Sequence, residues 1–284
     1  QTPGAAAGGG TELSEAEKAA QEQAERQRLG AEAQRAIAEA DPMTLSIVSI
    51  VEGILYRAEE GDQYMPRGRG YLCKRVAEMV SKEQPVIFLI LGFPWKSPNL
   101  DKVLGDLPDL AEKVAIDTLG AFCNDINDIY PAGSRLVLLS DGIIWNDLFD
   151  VPEEVMLEYL CEIQAMADLA SPSVEARSLY DVFPEYGAEE IREEIFAVFR
   201  PSLQWARERK RQDKFFAQKG AAFQKFVMDD MDLSDFTSVS EARRAAKEIS
   251  ESRLCRDEAL GRFSDQALPQ AIRFSIRPKR MCGP

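Results

Sequence analysis

Two uninterrupted apolar runs constrain the fold of this chain more than any other feature of its sequence. They are Val86–Leu91 and Arg135–Leu139, which opens on a single arginine. Short runs rich in Val, Ile and Leu are typical of strands buried on both faces of a parallel sheet. A segment of helical periodicity, Pro108–Ile129, separates them, and a second, Pro152–Met166, follows. Strand, helix, strand, helix at this spacing predicts a βαβ unit and hence an α/β fold.

The rest of the chain is predicted to be mostly helical, with a helix-rich C-terminal half that flanks the parallel sheet. Residues 1–10 read as a flexible linker and residues 11–40 as an exposed helix with few large apolar residues. The α/β domain is predicted to cover residues 41–284. Its further predicted elements are helices at 43–56, 72–79 and across 188–258, a turn at 68–70 and a strand at 271–276.

The complete absence of histidine excludes a block of chemistry. The chain cannot contain a Ser-His-Asp triad, a Cys-His nucleophile pair, a His-ligated zinc or an imidazole acid or base. Any catalysis must depend on Lys, Asp, Glu, Tyr, Cys, backbone donors or groups of the substrate itself.

Charge and cysteine usage narrow the classes of partner. A formal charge of −14 argues against a nucleic-acid binder and against an anionic membrane surface. No apolar run approaches the roughly 20 residues of a membrane helix. The five cysteines are odd in number and include no C-x-x-C pair, which argues against a disulfide framework or a metal knuckle and predicts reduced, mostly buried thiols in a cytoplasmic protein. We expect neither a metal site nor a cofactor. Because the sequence begins at Gln1 rather than Met, we expect a longer parent product.

The loop after the first apolar run offers groups suited to an anionic ligand. Lys96 supplies a cation, while Ser97 and Asn99 supply short polar groups. Trp95 supplies a flat apolar wall, and two prolines stiffen the loop, which lowers the entropy lost on binding. Taken alone, Trp95 is equally typical of a core residue and Lys96 of a solvated lysine.

The loop after the second run carries Asp141, Gly142, Asn146 and Asp147. Asp141 can accept a hydrogen bond from an ammonium group or a sugar hydroxyl, and Gly142 permits close approach of the backbone to a ligand. Alternatively, Asp-Gly is a common turn signal, and Asn146-Asp147 can cap the next helix. Because the carboxyl ends of parallel strands share one edge of a sheet, we expect both loops to meet over one pocket.

The first of these loops, Gly92–Asn99, resembles the signature of the pyoverdine/dityrosine biosynthesis family, the isocyanide (isonitrile) synthases. The amino-acid sequence of a second block, Ser140–Leu148, is most similar to that of fungal members. Order and spacing agree across both blocks, and the resemblance extends from about Asp41 to Ile276. The other segments that carry it are Tyr71–Val76, Lys102–Glu112, Ile129–Gly133 and Leu268–Ile276.

The resemblance implies a Rossmann-like fold and a particular reaction. The amino group of an aromatic amino acid, tyrosine or tryptophan, condenses with ribulose 5-phosphate, which supplies the isocyanide carbon. Family members often act beside an iron/2-oxoglutarate oxygenase. An alternative is the branch that forms N-formyl-tyrosine for dityrosine in spore walls. A further alternative is a degenerate, non-catalytic member that binds a sugar phosphate, or an interaction protein that uses the helix at 12–40.

The resemblance and the two loops together suggest a role for each candidate residue. Lys96, with Ser97 and Asn99, holds the sugar phosphate or polarises its ketone. Asp141 orients the amino group or moves protons, and Arg75 is a second phosphate contact. Other predicted substrate contacts are Trp95, Gly142, Asn146 and Asp147. Weaker candidates, predicted to be structural or surface charges, are Arg253, Arg256 and Arg273.

The C-terminus departs from the family pattern. Arg277 stands where the family is expected to have a histidine, and residues 277–284 do not resemble the family's further strand. This departure supports the reading of a truncated or differently spliced end.

Overall fold

The chain divides into two compact units, one of residues 1–78 with 278–284 and one of residues 79–277. The computed structural model describes residues 15–55, 64–97, 99, 101–231 and 235–274. The predicted linker at 1–10 and Arg277 lie outside the described residues. The predicted limits of the α/β domain, 41–284, stay a prediction, and all four described strands lie in the second unit.

Helices build the described part of the first unit: α1 (Glu15–Glu39), α2 (Pro42–Ile54), a π-helical turn (Tyr64–Gly68) and the start of α3 (Arg69–Val80). The Asp41 carboxylate caps α2 by accepting from the Thr44 N–H at 3.0 Å. A Cβ at Gly70 would lie 2.3 Å from the Ala33 Cα, so a glycine is needed where α3 meets α1. The predicted turn at 68–70 is wrong, because these residues continue the helical backbone.

The second unit is built on a four-stranded parallel sheet of order β3-β2-β1-β4. Its strands are β1 (Val86–Gly92), β2 (Ser134–Ser140), β3 (Val174–Ser178) and β4 (Ile272–Phe274). This is the order of the first four strands of a Rossmann sheet. Both predicted central strands are confirmed. In register, Gly92 pairs with Ser140 and Ser140 with Ser178, so three strands end side by side.

Seven helices of the second unit are described. They are α4 (Leu110–Ile129), α5 (Glu153–Ala170), α6 (Leu179–Val182), α7 (Ala188–Phe199), α8 (Leu203–Gln212), α9 (Lys214–Asp230) and α10 (Val239–Ala267). Phe88 of β1 lies in the core between Phe122 of α4 and Phe274 of β4, with ring centroids 4.9 and 5.1 Å away. This packing fixes the sheet whose carboxyl edge carries the candidate site.

Strand β3 was not predicted from the sequence, because it is a short edge strand with charged side chains. Glu175 accepts from Arg135 of β2 at 2.6 and 2.8 Å, so the charges pair across the two strands. Such a segment lacks the apolar run that marks β1 and β2.

Cysteine placement in the described part of the chain agrees with the predicted buried thiols, with one exception. Cys73, Cys123 and Cys255 are buried and free, whereas Cys161 is exposed. Across the segments that the structure describes, each helix is too short or too polar to cross a membrane.

Candidate functional site

The two predicted loops meet at the carboxyl edge of the sheet. The Ser140 hydroxyl, at the end of β2, donates to the Phe93 carbonyl in the loop after β1 at 3.1 Å. A Cβ on Gly142 would lie 3.0 Å from the Pro94 carbonyl oxygen. The topological argument for a shared edge is therefore confirmed.

Asp141 is a buried carboxyl group with a strongly shifted pKa at this edge. Its side chain is buried, and its Oδ1 has no hydrogen-bond partner among the described residues. Burial raises the pKa of Asp141 to about 6, against the opposing effects of a hydrogen bond from Trp145 and of the Arg253 charge. Asp257 adds a like charge that raises the pKa further. Asp141 therefore exchanges a proton near neutral pH.

Arg253 of α10 lies within a cluster of aromatic rings, and its charge offsets part of the rise that burial causes in the pKa of Asp141. Its guanidinium carbon is 5.1 Å from the ring centroid of Trp145 and 5.4 Å from that of Phe149, both in the loop after β2. It is 4.5 and 5.8 Å from the ring centroids of Phe223 and Phe226 of α9. From the sequence, Arg253 is only a weak candidate, because no motif near it indicates that α10 lies at the end of β2.

Lys96 lies in an ion-pair cluster. Its side chain is 8% exposed, and its Nζ is 2.9 Å from Asp109 Oδ2 and 2.8 Å from Glu112 Oε2. Burial lowers the pKa of Lys96, but hydrogen bonds to Glu112 and Asp109 outweigh it and hold the pKa above its ordinary value. The Tyr159 hydroxyl also donates to Glu112, at 3.4 Å. A phosphate at Lys96 must compete with these two carboxylates, and that predicted role stays a prediction.

Ser97 and Asn99 are engaged within the protein. The Ser97 hydroxyl accepts from the Asn99 N–H at 3.2 Å, and the Asn99 amide donates to the Asp229 carbonyl at 2.9 Å. Lys102 pairs with Asp230 at 2.5 Å. These contacts fasten the loop after β1 to the end of α9, and the predicted substrate contacts of Ser97 and Asn99 stay predictions.

Trp95 and Gly142 have neighbours within the protein. Trp95 is half-buried against the apolar core, 6.0 Å from the Phe149 ring centroid. A Cβ on Gly142 would lie 2.5 Å from Met156 Sδ. The close approach predicted for Gly142 is therefore made by Met156 and the Pro94 carbonyl.

Asn146 and Asp147 bind two arginines that hold the loop after β2. Arg256 of α10 donates to both Asp147 carboxylate oxygens, at 2.5 and 2.8 Å, and to the Ile144 carbonyl at 2.7 Å. Arg192 of α7 donates to Asn146 Oδ1 at 3.0 Å and to the Ile143 carbonyl at 3.1 Å. The Asp147 pKa is lowered, since the hydrogen bond and charge of Arg256 outweigh burial. Sequence reasoning missed Arg192, which no motif marks.

The remaining predicted arginines have separate surroundings. Arg75 lies in the first unit, where it pairs with Glu78 at 2.9 Å, and its predicted phosphate contact stays a prediction. Arg273 of β4 donates to Asp265 at 2.8 Å and to the Gly261 carbonyl at 2.9 Å, as expected for a structural charge. In the ranges that the structure describes, no group of three or more Cys, Asp and Glu side chains is placed to hold a metal ion.

Two concave regions bear on where a ligand can enter. A cavity of about 10 Å³ lies behind β2 and β3, bordered by Ser140, Met156 and Ser178, and is too small for a substrate. A shallow groove of about 690 Å³ lies between α7 and α8, lined by Phe196, Arg200 and their neighbours. None of the groups with shifted pKa values described above lines this groove. Those polar groups lie elsewhere, where α9 and α10 approach the carboxyl edge of the sheet.

A Rossmann-like parallel sheet with a buried, perturbed carboxyl group beside an arginine defines an α/β protein with a polar site at its strand ends. Residues 76–284 match the family model described as pyoverdine/dityrosine biosynthesis protein. The match covers well over half of the chain, which therefore belongs to this family.

Curated relatives carry related names. L-tryptophan isonitrile synthase AmbI2 of Fischerella ambigua is 26% identical over 208 residues, covering 72% of this chain and 63% of the relative. L-tyrosine isonitrile synthase of Xenorhabdus nematophila is 27% identical over 213 residues, with the same shares. Isocyanide synthase xanB of Aspergillus fumigatus is 33% identical over 133 residues, covering 46% of this chain and 17% of the relative. The chain thus spans less than two thirds of these proteins.

A solved structure supports the fold. The crystal structure of PvcA from Pseudomonas aeruginosa superposes with a TM-score of 0.77 at 23% identity, covering 84% of this chain and 80% of that chain. The predicted α/β class is confirmed by this likeness and by the parallel sheet.

Proposed function

We propose that the chain is an isocyanide (isonitrile) synthase-like enzyme. It converts the amino group of an aromatic L-amino acid, tyrosine or tryptophan, to an isocyanide, with ribulose 5-phosphate as the carbon source. Family membership and relatives named as tryptophan and tyrosine isonitrile synthases support the proposal.

The buried Asp141 is the observation that carries the proposal. Condensation of an amine with a ketone requires the amine to lose its protons and the carbonyl oxygen to gain two before it leaves as water. A carboxyl group with a pKa near 6 serves either direction near neutral pH. Its Oδ1 lacks a hydrogen-bond partner among the described residues, and a substrate ammonium supplies one.

The sugar phosphate is proposed to bind at the loop after β1. Lys96 is the cation there, and its partners Asp109 and Glu112 hold it at a fixed place beside the strand end. In this proposal a phosphate oxygen displaces Asp109, which is the more exposed of the two carboxylates. Ser97 and Asn99 then supply hydrogen bonds from the same loop.

A second product is favoured by one relative. Spore wall maturation protein DIT1 of Saccharomyces cerevisiae is 30% identical over 116 residues, which cover 40% of this chain and 22% of that protein. The corresponding product is N-formyl-tyrosine. A cytoplasmic location and an iron/2-oxoglutarate oxygenase acting on the product belong to the same proposal.

Product analysis tests the proposal. The purified chain is incubated with ribulose 5-phosphate and either L-tyrosine or L-tryptophan, and products are identified by mass spectrometry. An isocyanide from wild type, with a loss of at least about a hundredfold in Asp141→Asn, supports the proposal. A formamide moves the chain to the second product. Neither product, or unchanged turnover in the variant, contradicts the assigned role.

A further inference from the structure

We propose that Asp141 and Arg253 form a receptor for the charged head of a free α-amino acid. Asp141 accepts the ammonium group, and Arg253 binds the carboxylate. The inference rests on the proposed function and adds a requirement, because amines, amides and esters of the same side chain lack the group that Arg253 binds.

The rings around Arg253 orient its guanidinium for such a carboxylate. Four ring centroids lie between 4.5 and 5.8 Å from the guanidinium carbon. Aromatic rings interact with the face of a guanidinium, and a carboxylate binds in its plane through two parallel N–H groups. An arginine held among rings is therefore pre-organised for a planar anion.

Trp145 brings the two charged groups of the receptor together. Its indole lies close enough to the Asp141 carboxyl group to offset part of the rise that burial causes in the pKa of that group, and its ring centroid is 5.1 Å from the Arg253 guanidinium carbon. Both groups thus border the same ring. The ammonium and carboxylate of an α-amino acid are attached to one carbon, so a receptor for them needs two opposite charges at short separation.

Asp141 presents the second observation that points to a ligand. Its side chain is at least nine-tenths buried, and its Oδ1 has no hydrogen-bond partner in the described part of the chain. A buried, unsatisfied carboxylate oxygen is costly unless a donor reaches it. An ammonium group supplies that donor together with a compensating charge.

The surrounding charges favour a zwitterion over a phosphate. Asp257 lies four residues after Arg253 on the same face of α10, and Lys219 of α9 pairs with it. A phosphate dianion at Arg253 would face the carboxylates of Asp141 and Asp257. A zwitterionic amino acid places each of its charges against an opposite one and adds no net charge.

Binding measurements on the whole chain test this assignment. Affinities of L-tyrosine, L-tryptophan, their α-amides and ribulose 5-phosphate are compared by calorimetry in wild type, Arg253→Met and Arg253→Lys. Because a charge-assisted hydrogen bond contributes about 1.5–3 kcal/mol, we expect Arg253→Met to weaken binding of each acid at least about tenfold. Binding of each amide should change less than about twofold. Arg253→Lys keeps the charge and should retain part of the preference.

The control and the contrary outcomes are distinct. Arg262→Met removes an exposed arginine of the same helix and should leave all affinities unchanged. Equal losses for acid and amide would overturn the carboxylate assignment while leaving the proposed function standing. Loss of affinity for ribulose 5-phosphate alone would assign Arg253 to the sugar instead. If wild type binds no amino acid and forms no product, both proposals fail. Should Arg253→Met not fold, by circular dichroism, Arg253→Lys gives the comparison with a smaller expected effect, in which binding of the acids still falls more than binding of the amides.

Discussion

Replacement of Asp141 by Asn is expected to stabilise the fold at neutral pH while abolishing product formation. Burial raises the pKa of Asp141 from 3.8 to about 6. At about 1.4 kcal/mol per pKa unit, ionisation in the folded chain costs about 3 kcal/mol at pH 8. The folded state binds this proton more tightly than the unfolded state, so the contribution of Asp141 to stability is lost as pH rises from about 4 to 6. Asn carries no charge and escapes this loss.

Urea denaturation of wild type and Asp141→Asn at several pH values measures this effect. The difference in the free energy of unfolding, in favour of the variant, should grow by about 1.5 kcal/mol between pH 5 and pH 8. Asp168→Asn, an exposed change on α5, serves as the control and should stay within about 0.5 kcal/mol of wild type at every pH. A variant whose stability relative to wild type does not change with pH would refute the reasoning that Asp141 is buried and ionises at a cost.

Three further substitutions separate chemistry from architecture. Lys96→Ala should abolish product and modestly lower the free energy of unfolding, since Asp109 and Glu112 lose their shared cation. Lys113→Ala, on the exposed face of α4, is the control. Retained turnover in Lys96→Ala would remove Lys96 from the mechanism. Arg256→Met should lower the free energy of unfolding, measured in urea, by about 2 kcal/mol, because it leaves Asp147 and the Ile144 carbonyl without their donor. The exposed change Arg262→Met should lower it by less than about 0.5 kcal/mol. Gly142→Ala should lower the free energy of unfolding by about 1–3 kcal/mol, because the added methyl group clashes with Met156. In a double-mutant cycle with Met156→Ala the two effects should be coupled. Additive effects would contradict the close contact.

The central strands and the edge that carries the site follow directly from sequence. Val86–Gly92 and Ser134–Ser140 are apolar enough to be recognised without any structure, and their parallel pairing places both following loops at one edge. The buried Asp141 was therefore found from its position after β2. Strand β3 was not, because paired charges at a sheet edge, such as Glu175 with Arg135, read as a polar loop.

The partners of the loop residues could not be predicted, because they come from distant helices. Asn146 and Asp147 look like ligand contacts in a motif, yet Arg192 and Arg256, separated from them by 46 and 109 residues, bind their side chains. The partners of Lys96 are nearer, since Asp109 and Glu112 cap the following helix, but no local pattern pairs them with Lys96 rather than with solvent. Polar residues in a loop predict that hydrogen bonds are made, and only the tertiary structure shows with which group.

Transfer of a labelled carbon tests the proposed reaction most directly. The chain is incubated with L-tyrosine or L-tryptophan and ribulose 5-phosphate in which every carbon is ¹³C, and the product is analysed by mass spectrometry. We predict an isocyanide one mass unit heavier than that from unlabelled sugar, which requires that the sugar supplies a single carbon. An unlabelled product, or no isocyanide and no formamide with either amino acid, would contradict the assignment of this chain as an isocyanide synthase.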